Sequence, residues 1–145
     1  MNRMAPDFEL PDQHGTPVRL SSLRGGRVLL IFYPLAFSGV CRSELGQVRD
    51  ELIPRLPADV RVLSVSVDSM FTHRAWAEQE GYEFPLLSDF WPHGQVAEAY
   101  GVFDETKGLA KRGTFLIDGE GVIRWSVVNP ISAARDVADY LKALS

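Results

Sequence analysis

The chain has 145 residues, 46% hydrophobic and 23% charged, which fits one soluble globular domain over residues 1–145 and leaves no room for two ordinary ones. Its 15 basic and 19 acidic residues give a net charge of −4, and the basic ones, mostly arginine, are scattered, so neither nucleic acid nor an anionic membrane surface has an electrostatic footprint here. No run approaches the ~18 apolar residues of a membrane span, and the opening Met1-Asn2-Arg3-Met4-Ala5-Pro6-Asp7 lacks the apolar centre of a secretory signal, which makes the cytoplasm the expected compartment.

Short strands over 8–10 and 18–20 flank the polar turn Asp12-Gln13-His14-Gly15 and read as an amino-terminal hairpin. The apolar run 28–33 reads as a buried strand. Behind it, Leu45, Val48 and Leu52 mark one face of a helix that Pro54 and Pro57 should end. From 60 to 67, Val60, Val62 and Ser64 alternate with Arg61, Leu63 and Val65, the period of a strand. A second helix is predicted over 71–80 with Gly81 as its stop, then an apolar strand at 84–87 and a third helix over 95–100 closed by Gly101. Strands at 114–117 and 122–127 are joined as a hairpin by Asp118-Gly119-Glu120-Gly121. A final helix over 133–144 places Val137, Tyr140, Leu141 and Leu144 on one stripe. Strands separated by helices, followed by a hairpin and a last helix, specify an α/β domain with a mixed central sheet flanked by helices. This is the order of a thioredoxin-like fold with an N-terminal β-hairpin extension.

The chain has a single cysteine, Cys41, between the strand at 28–33 and the first helix. It would lie in the first helical turn, where unpaired N–H groups and the positive end of the helix dipole favour a thiolate. A lone cysteine is otherwise a small buried hydrophobe, so its neighbours decide between the two readings. One cysteine cannot form an internal disulfide, and a reducing compartment suits the chain.

The neighbours follow the spacing Pro34-x-x-x-Ser38-x-x-Cys41, and Arg112 stands in Lys111-Arg112-Gly113-Thr114-Phe115-Leu116-Ile117-Asp118, just before an apolar strand. With Ala5-Pro6-Asp7-Phe8-Glu9-Leu10, Phe84-Pro85-Leu86-Leu87-Ser88-Asp89 and Ala99-Tyr100-Gly101-Val102, these segments resemble the peroxiredoxin family almost end to end. The stretch Leu87-Ser88-Asp89-Phe90-Trp91-Pro92-His93-Gly94, with no second cysteine, is most similar to the alkyl hydroperoxide reductase E group of one-cysteine peroxiredoxins. The resemblance implies that Cys41 is the peroxidatic nucleophile of a thiol-dependent peroxidase reducing hydrogen peroxide and organic hydroperoxides, with Arg112, Ser38 and Pro34 around it. It also implies resolution by an external reductant, either a low-molecular-weight thiol with a glutaredoxin-like protein or a thioredoxin-like protein. A homodimer is implied as well, with the Phe90-Trp91-Pro92 loop as one candidate for its interface.

Each residue also has a plainer reading. Complete ionisation raises the reactive fraction of a free thiol roughly 30-fold, but a Brønsted slope of ~0.4–0.5 returns about tenfold of that gain. A fast peroxidase therefore has to align the O–O bond and stabilise the leaving oxygen. Arg112 can bind both sulfur and peroxide through its planar fork, although an arginine at a strand edge is often a solvated charge. Ser38 can accept from peroxide while donating to sulfur, and it also suits a helix N-cap. Pro34 has no N–H and walls off water, and it also ends a strand. The N–H groups of Val40 and Cys41 are further donors, and Glu44 is either a second support for Arg112 or a surface carboxylate. His14, His73 and His93 lack zinc-ligand spacing, and no nucleotide loop or serine elbow is present, so no metal or cofactor is expected. A monothiol thioredoxin-like disulfide oxidoreductase and a redox-sensing module are the competing functions, the first weakened because Cys41-Arg42-Ser43-Glu44 has no second cysteine.

Overall fold

A computed structural model describes residues 3–145; Met1 and Asn2, at the head of the amino-terminal segment read above, lie outside them. The chain begins with β1 (Arg3–Met4), β2 (Glu9–Pro11) and β3 (Pro17–Arg19), and β2 pairs with β3 as the expected hairpin, Leu10 opposite Val18. Asp12 closes its turn by accepting the N–H groups of His14 at 2.8 Å and Thr16 at 3.0 Å. Then come β4 (Arg27–Phe32), α1 (Gly39–Gln47), β5 (Val60–Ser66), α2 (Met70–Glu80), β6 (Leu86–Ser88), α3 (Gln95–Ala99), β7 (Phe103–Asp104), β8 (Leu109–Ala110), β9 (Arg112–Ile117), β10 (Val122–Asn129) and α4 (Val137–Leu144).

Six strands form one sheet in the order β1-β10-β9-β4-β5-β6. β4, β5 and β6 are parallel, whereas β9 is antiparallel to both β4 and β10, so the sheet is mixed as the element order predicts. β4 lies inside the sheet with both faces covered, which is why it is written as a continuous apolar run. Val28, Leu30 and Phe32 join Phe8, Leu63, Val65, Tyr100 and Phe115 in one core. Leu29, Ile31 and Tyr33 join Cys41, Leu45, Val62, Trp76, Leu116 and Tyr140 in the other. At ~1.5–3 kcal/mol per fully buried large side chain, the four deepest residues of β4 supply roughly 6–12 kcal/mol of gross burial energy. The site described below grows from the second core.

Several boundaries differ from the pattern, each for a local reason. α1 ends at Gln47, and a π turn (Val48–Leu52) and a 3-10 turn (Ile53–Arg55) continue the path to Pro54, whose missing N–H breaks the helical ladder. α2 starts at Met70 because Ser69 caps it, its Oγ accepting the Thr72 N–H at 3.2 Å, and Gly81 ends it with φ 72°. The strand predicted at 84–87 is displaced to Leu86–Ser88, following the proline. The last helix begins at Val137 rather than 133, because Asp136 is extended and its carboxylate accepts the Ala138 N–H at 3.0 Å. β1, β7 and β8 are two-residue strands, too short to leave a period in the sequence. Among the described residues no helix is long and apolar enough to cross a membrane.

Candidate active site

β4 delivers the chain through Tyr33 and the buried Pro34 into a short loop, and α1 starts at Gly39, so Cys41 occupies the first turn as its position predicts. The side chain is 0% exposed. The first helical hydrogen bond visible at this end runs from Arg42 N–H to the Ser38 carbonyl at 2.8 Å, which leaves the amides of Val40 and Cys41 ahead of the helical ladder.

Arg112, 71 residues away in sequence, opens β9 and is only 2% exposed. Its Nη1 donates to Cys41 Sγ at 3.3 Å and also to Oε1 of Glu44, while its Nε donates to the carbonyl of Ile131. The reading of Arg112 as a solvated strand-edge charge is therefore excluded. The residue beside it must be glycine: a Cβ on Gly113 would lie 2.6 Å from Cγ1 of Val102.

Glu44 is not a surface carboxylate. It is 4% exposed and sits between two guanidiniums. Besides Arg112, it is held by Arg135, whose backbone N–H and Nε donate to Oε2 at 2.7 and 2.8 Å and whose Nη2 donates to Oε1 at 3.0 Å. Burial alone would push the Glu44 carboxyl up; the hydrogen bonds and charge of Arg135, and then the charge of Arg112, outweigh it and hold the group below its ordinary value. Arg135 is itself 5% exposed and spends Nη1 on the Gly113 carbonyl at 3.0 Å and Thr114 Oγ1 at 3.1 Å. Two guanidiniums and one carboxylate leave a unit of positive charge at the sulfur.

Arg135 is the site residue the sequence reading missed, because it falls inside the stretch predicted as helix. The signal was Asp136: read as the N-cap of the apolar stripe, it would have placed Arg135 outside the helix and free to turn inward.

Ser38 stands at the N-cap position, but its side chain does not cap the helix. Its Oγ donates to the Leu35 carbonyl at 2.9 Å, so its proton is not directed to the sulfur as expected, and the oxygen keeps its acceptor capacity. Pro34, Ser38, Cys41 and Arg112 thus lie on one loop, one helix start and the strand end that meets them. His14 lies in the turn between β2 and β3, His73 on α2 and His93 in the turn before α3.

A fully buried thiol at a helix start, hydrogen-bonded to an arginine from the neighbouring strand of a thioredoxin-like sheet, belongs to the thiol-dependent peroxidases. The AhpC/TSA family matches residues 1–126. The chain is 49% identical to alkyl hydroperoxide reductase E of Mycobacterium bovis over 142 residues, covering 97% of this chain and 93% of that protein. It is 37% identical to peroxiredoxin-2 of Bos taurus, covering 98% of this chain and 75% of that one. The crystal structure of Enterococcus faecalis AhpC superimposes with a TM-score of 0.89 at 34% identity, covering 99% of this chain and 89% of that chain. The protein is a peroxiredoxin of the AhpC/TSA family. Its single cysteine and its likeness to the mycobacterial reductases place it with the one-cysteine, alkyl hydroperoxide reductase E-like type.

Proposed function

We propose that this chain reduces hydrogen peroxide and organic hydroperoxides in the cytoplasm, with Cys41 as the peroxidatic nucleophile. The observation that carries the reading is the Arg112 Nη1 to Cys41 Sγ contact of 3.3 Å in a buried site. The thiolate attacks the terminal peroxide oxygen; an S–O bond forms, the O–O bond breaks, and the alkoxide or hydroxide leaves and takes a proton from water. The product is a sulfenic acid. Arg112 holds the sulfur and, through the same fork, stabilises charge on the departing oxygen. The Ser38 oxygen accepts from the peroxide, the amides of Val40 and Cys41 donate to it, and Pro34 limits water at the sulfur.

With no second cysteine, an external thiol condenses with the sulfenic acid to give a mixed disulfide and water, and a second thiol releases Cys41 as the free thiol. A low-molecular-weight thiol with a glutaredoxin-like protein, or a thioredoxin-like protein, supplies these equivalents. Phe90 and Trp91, 53% and 80% exposed on one loop, and the exposed Phe37 and Phe71 support a homodimer that covers them.

The test is one equivalent of peroxide followed by intact mass and non-reducing electrophoresis. A species of monomer mass that dimedone traps, and that added thiol returns to the reduced form, is expected. A dominant Cys41–Cys41 dimer refutes the external-thiol mechanism. Disulfide reduction without peroxide consumption would instead identify a monothiol oxidoreductase.

A further inference from the structure

None of the roles above uses the polar cluster buried beside the loop from Pro34 to Ser38. Within that loop Phe37 has φ 67°, the one positive φ among the described non-glycine residues, a conformation that side chains with a Cβ avoid. Such a bend persists where its surroundings hold it. Three contacts do so here. The Phe37 ring lies against Trp76 with 5.9 Å between centroids, Ser38 Oγ donates to the Leu35 carbonyl at 2.9 Å, and the Ala36 N–H donates to Asp68 Oδ2 at 2.8 Å. The second contact is internal to the loop; the third anchors its backbone to the turn between β5 and α2.

Asp68 is itself oriented. Ser66 Oγ lies 2.6 Å from the same Oδ2 and 2.6 Å from Nε2 of the fully buried His73 on α2. Ser66 Oγ donates to Asp68 Oδ2 and so ties the carboxylate to the buried ring of His73 on its other side. The Asp68 N–H at 3.3 Å from Ser66 Oγ, and the Tyr33 hydroxyl at 3.2 Å from Nε2, complete the cluster. Burial pushes His73 down to about 4 against the opposing pull of Asp68, so the ring that steadies Asp68 is neutral at physiological pH.

The geometry points to Asp68, oriented by Ser66 and His73, as a positioning residue for peroxide reduction: it fixes the bend at Phe37 and thereby the placement of Pro34 and the Ser38 hydroxyl around Cys41. This rests on the peroxidase reading above. The test compares two reactions of Cys41 measured by rapid mixing, sulfenic acid formation with hydrogen peroxide and alkylation by iodoacetamide, which needs no aligned O–O bond. Small misplacements of reacting groups cost large factors, so Asp68→Ala should slow the peroxide reaction about tenfold or more and leave alkylation within about twofold. Asp68→Asn keeps an acceptor oxygen for the Ala36 N–H and should return to within about threefold of wild type. Ser66→Ala, expected to slow only the peroxide reaction by about threefold, carries the test should Asp68→Ala not fold, and the double variant should be no slower than Asp68→Ala alone. Equal losses in both reactions, no loss in either, or additive losses in the double variant overturn the inference and leave the peroxidase reading standing. A wild-type protein whose Cys41 does not react with peroxide overturns both.

Discussion

Arg112→Lys keeps a positive charge at the sulfur and removes the geometry that delivers it, so it separates two contributions that an alanine variant would merge. The guanidinium makes three contacts at once, to Cys41 Sγ at 3.3 Å, to Glu44 and to the Ile131 carbonyl, and a fork with several donors in one plane makes this possible. A lysine ammonium is a single compact donor. It is drawn to the Glu44 carboxylate and cannot also span sulfur and peroxide. A hydrogen bond to a charged group is worth ~1.5–3 kcal/mol, or roughly 10- to 150-fold in rate, and a preorganised donor at a leaving oxygen is worth about 10²–10³-fold. We expect Arg112→Lys to lower the second-order rate with hydrogen peroxide by about 10²-fold and the rate with iodoacetamide by only a few-fold, since alkylation places no charge on an oxygen. Stopped-flow mixing for the first and timed quenching with intact mass for the second give both numbers on one preparation. Parallel losses in the two rates would show that Arg112 acts only on thiolate formation, and the role assigned to it at the leaving oxygen would be wrong.

Ser38→Val should slow peroxide reduction and spare alkylation, while Ser38→Thr, which keeps the hydroxyl, should remain near wild type in both assays; a fast valine variant would remove Ser38 from the site. Arg135→Met leaves the buried Glu44 with one guanidinium, and breaking a buried pair in this way costs ~3–5 kcal/mol, to be read from urea denaturation at neutral pH. The folded-state value of Glu44 is lowered, so its contribution to stability is present above its ordinary value and is lost as pH falls through the lowered one; without Arg135, burial raises the group and this acid sensitivity should disappear. His73, lowered to about 4, stays neutral in the folded state while the unfolded state takes up a proton near 6.5. Stability should therefore fall by ~1.4 kcal/mol per unit as pH drops through that window, and His73→Gln, whose amide can hydrogen-bond Ser66, should flatten the slope in denaturation curves at pH 6.5 and 4.5.

Local features wrote themselves plainly into the chain. β4 is an uninterrupted apolar run because both its faces are covered, and the hairpin from β9 to β10 follows from Asp118, whose Oδ1 accepts the N–H groups of Glu120 and Val122 at 2.9 Å each. Gly81 ends α2 as expected. Convergence over long sequence distances left no such trace. Arg112 was legible through its resemblance to a family position and not through its own surroundings. Arg135 was hidden because an arginine in an alanine-rich stretch suits a helix; Asp136 as N-cap would have freed it from the helix, but its partner Glu44 is set only by the approach of α1. Asp68 carried no signal of its own and His73 counted only as one of three scattered histidines; the partner of Asp68 is a loop 32 residues earlier, held to it through a backbone N–H that any residue but proline would supply.

The charge balance at Glu44 has a further consequence for the second half of turnover. The positive unit left by Arg112, Arg135 and Glu44 would be answered by the Cys41 thiolate that the proposed attack on peroxide requires. On the proposed mechanism, oxidation to a sulfenic acid removes that anion and leaves the net positive unit unanswered. The spent site would then attract a small anion, and the thiolate form of a reductant is the anion that the proposed chemistry requires next. On that mechanism the same net charge favours the thiolate before the reaction and the incoming reductant after it.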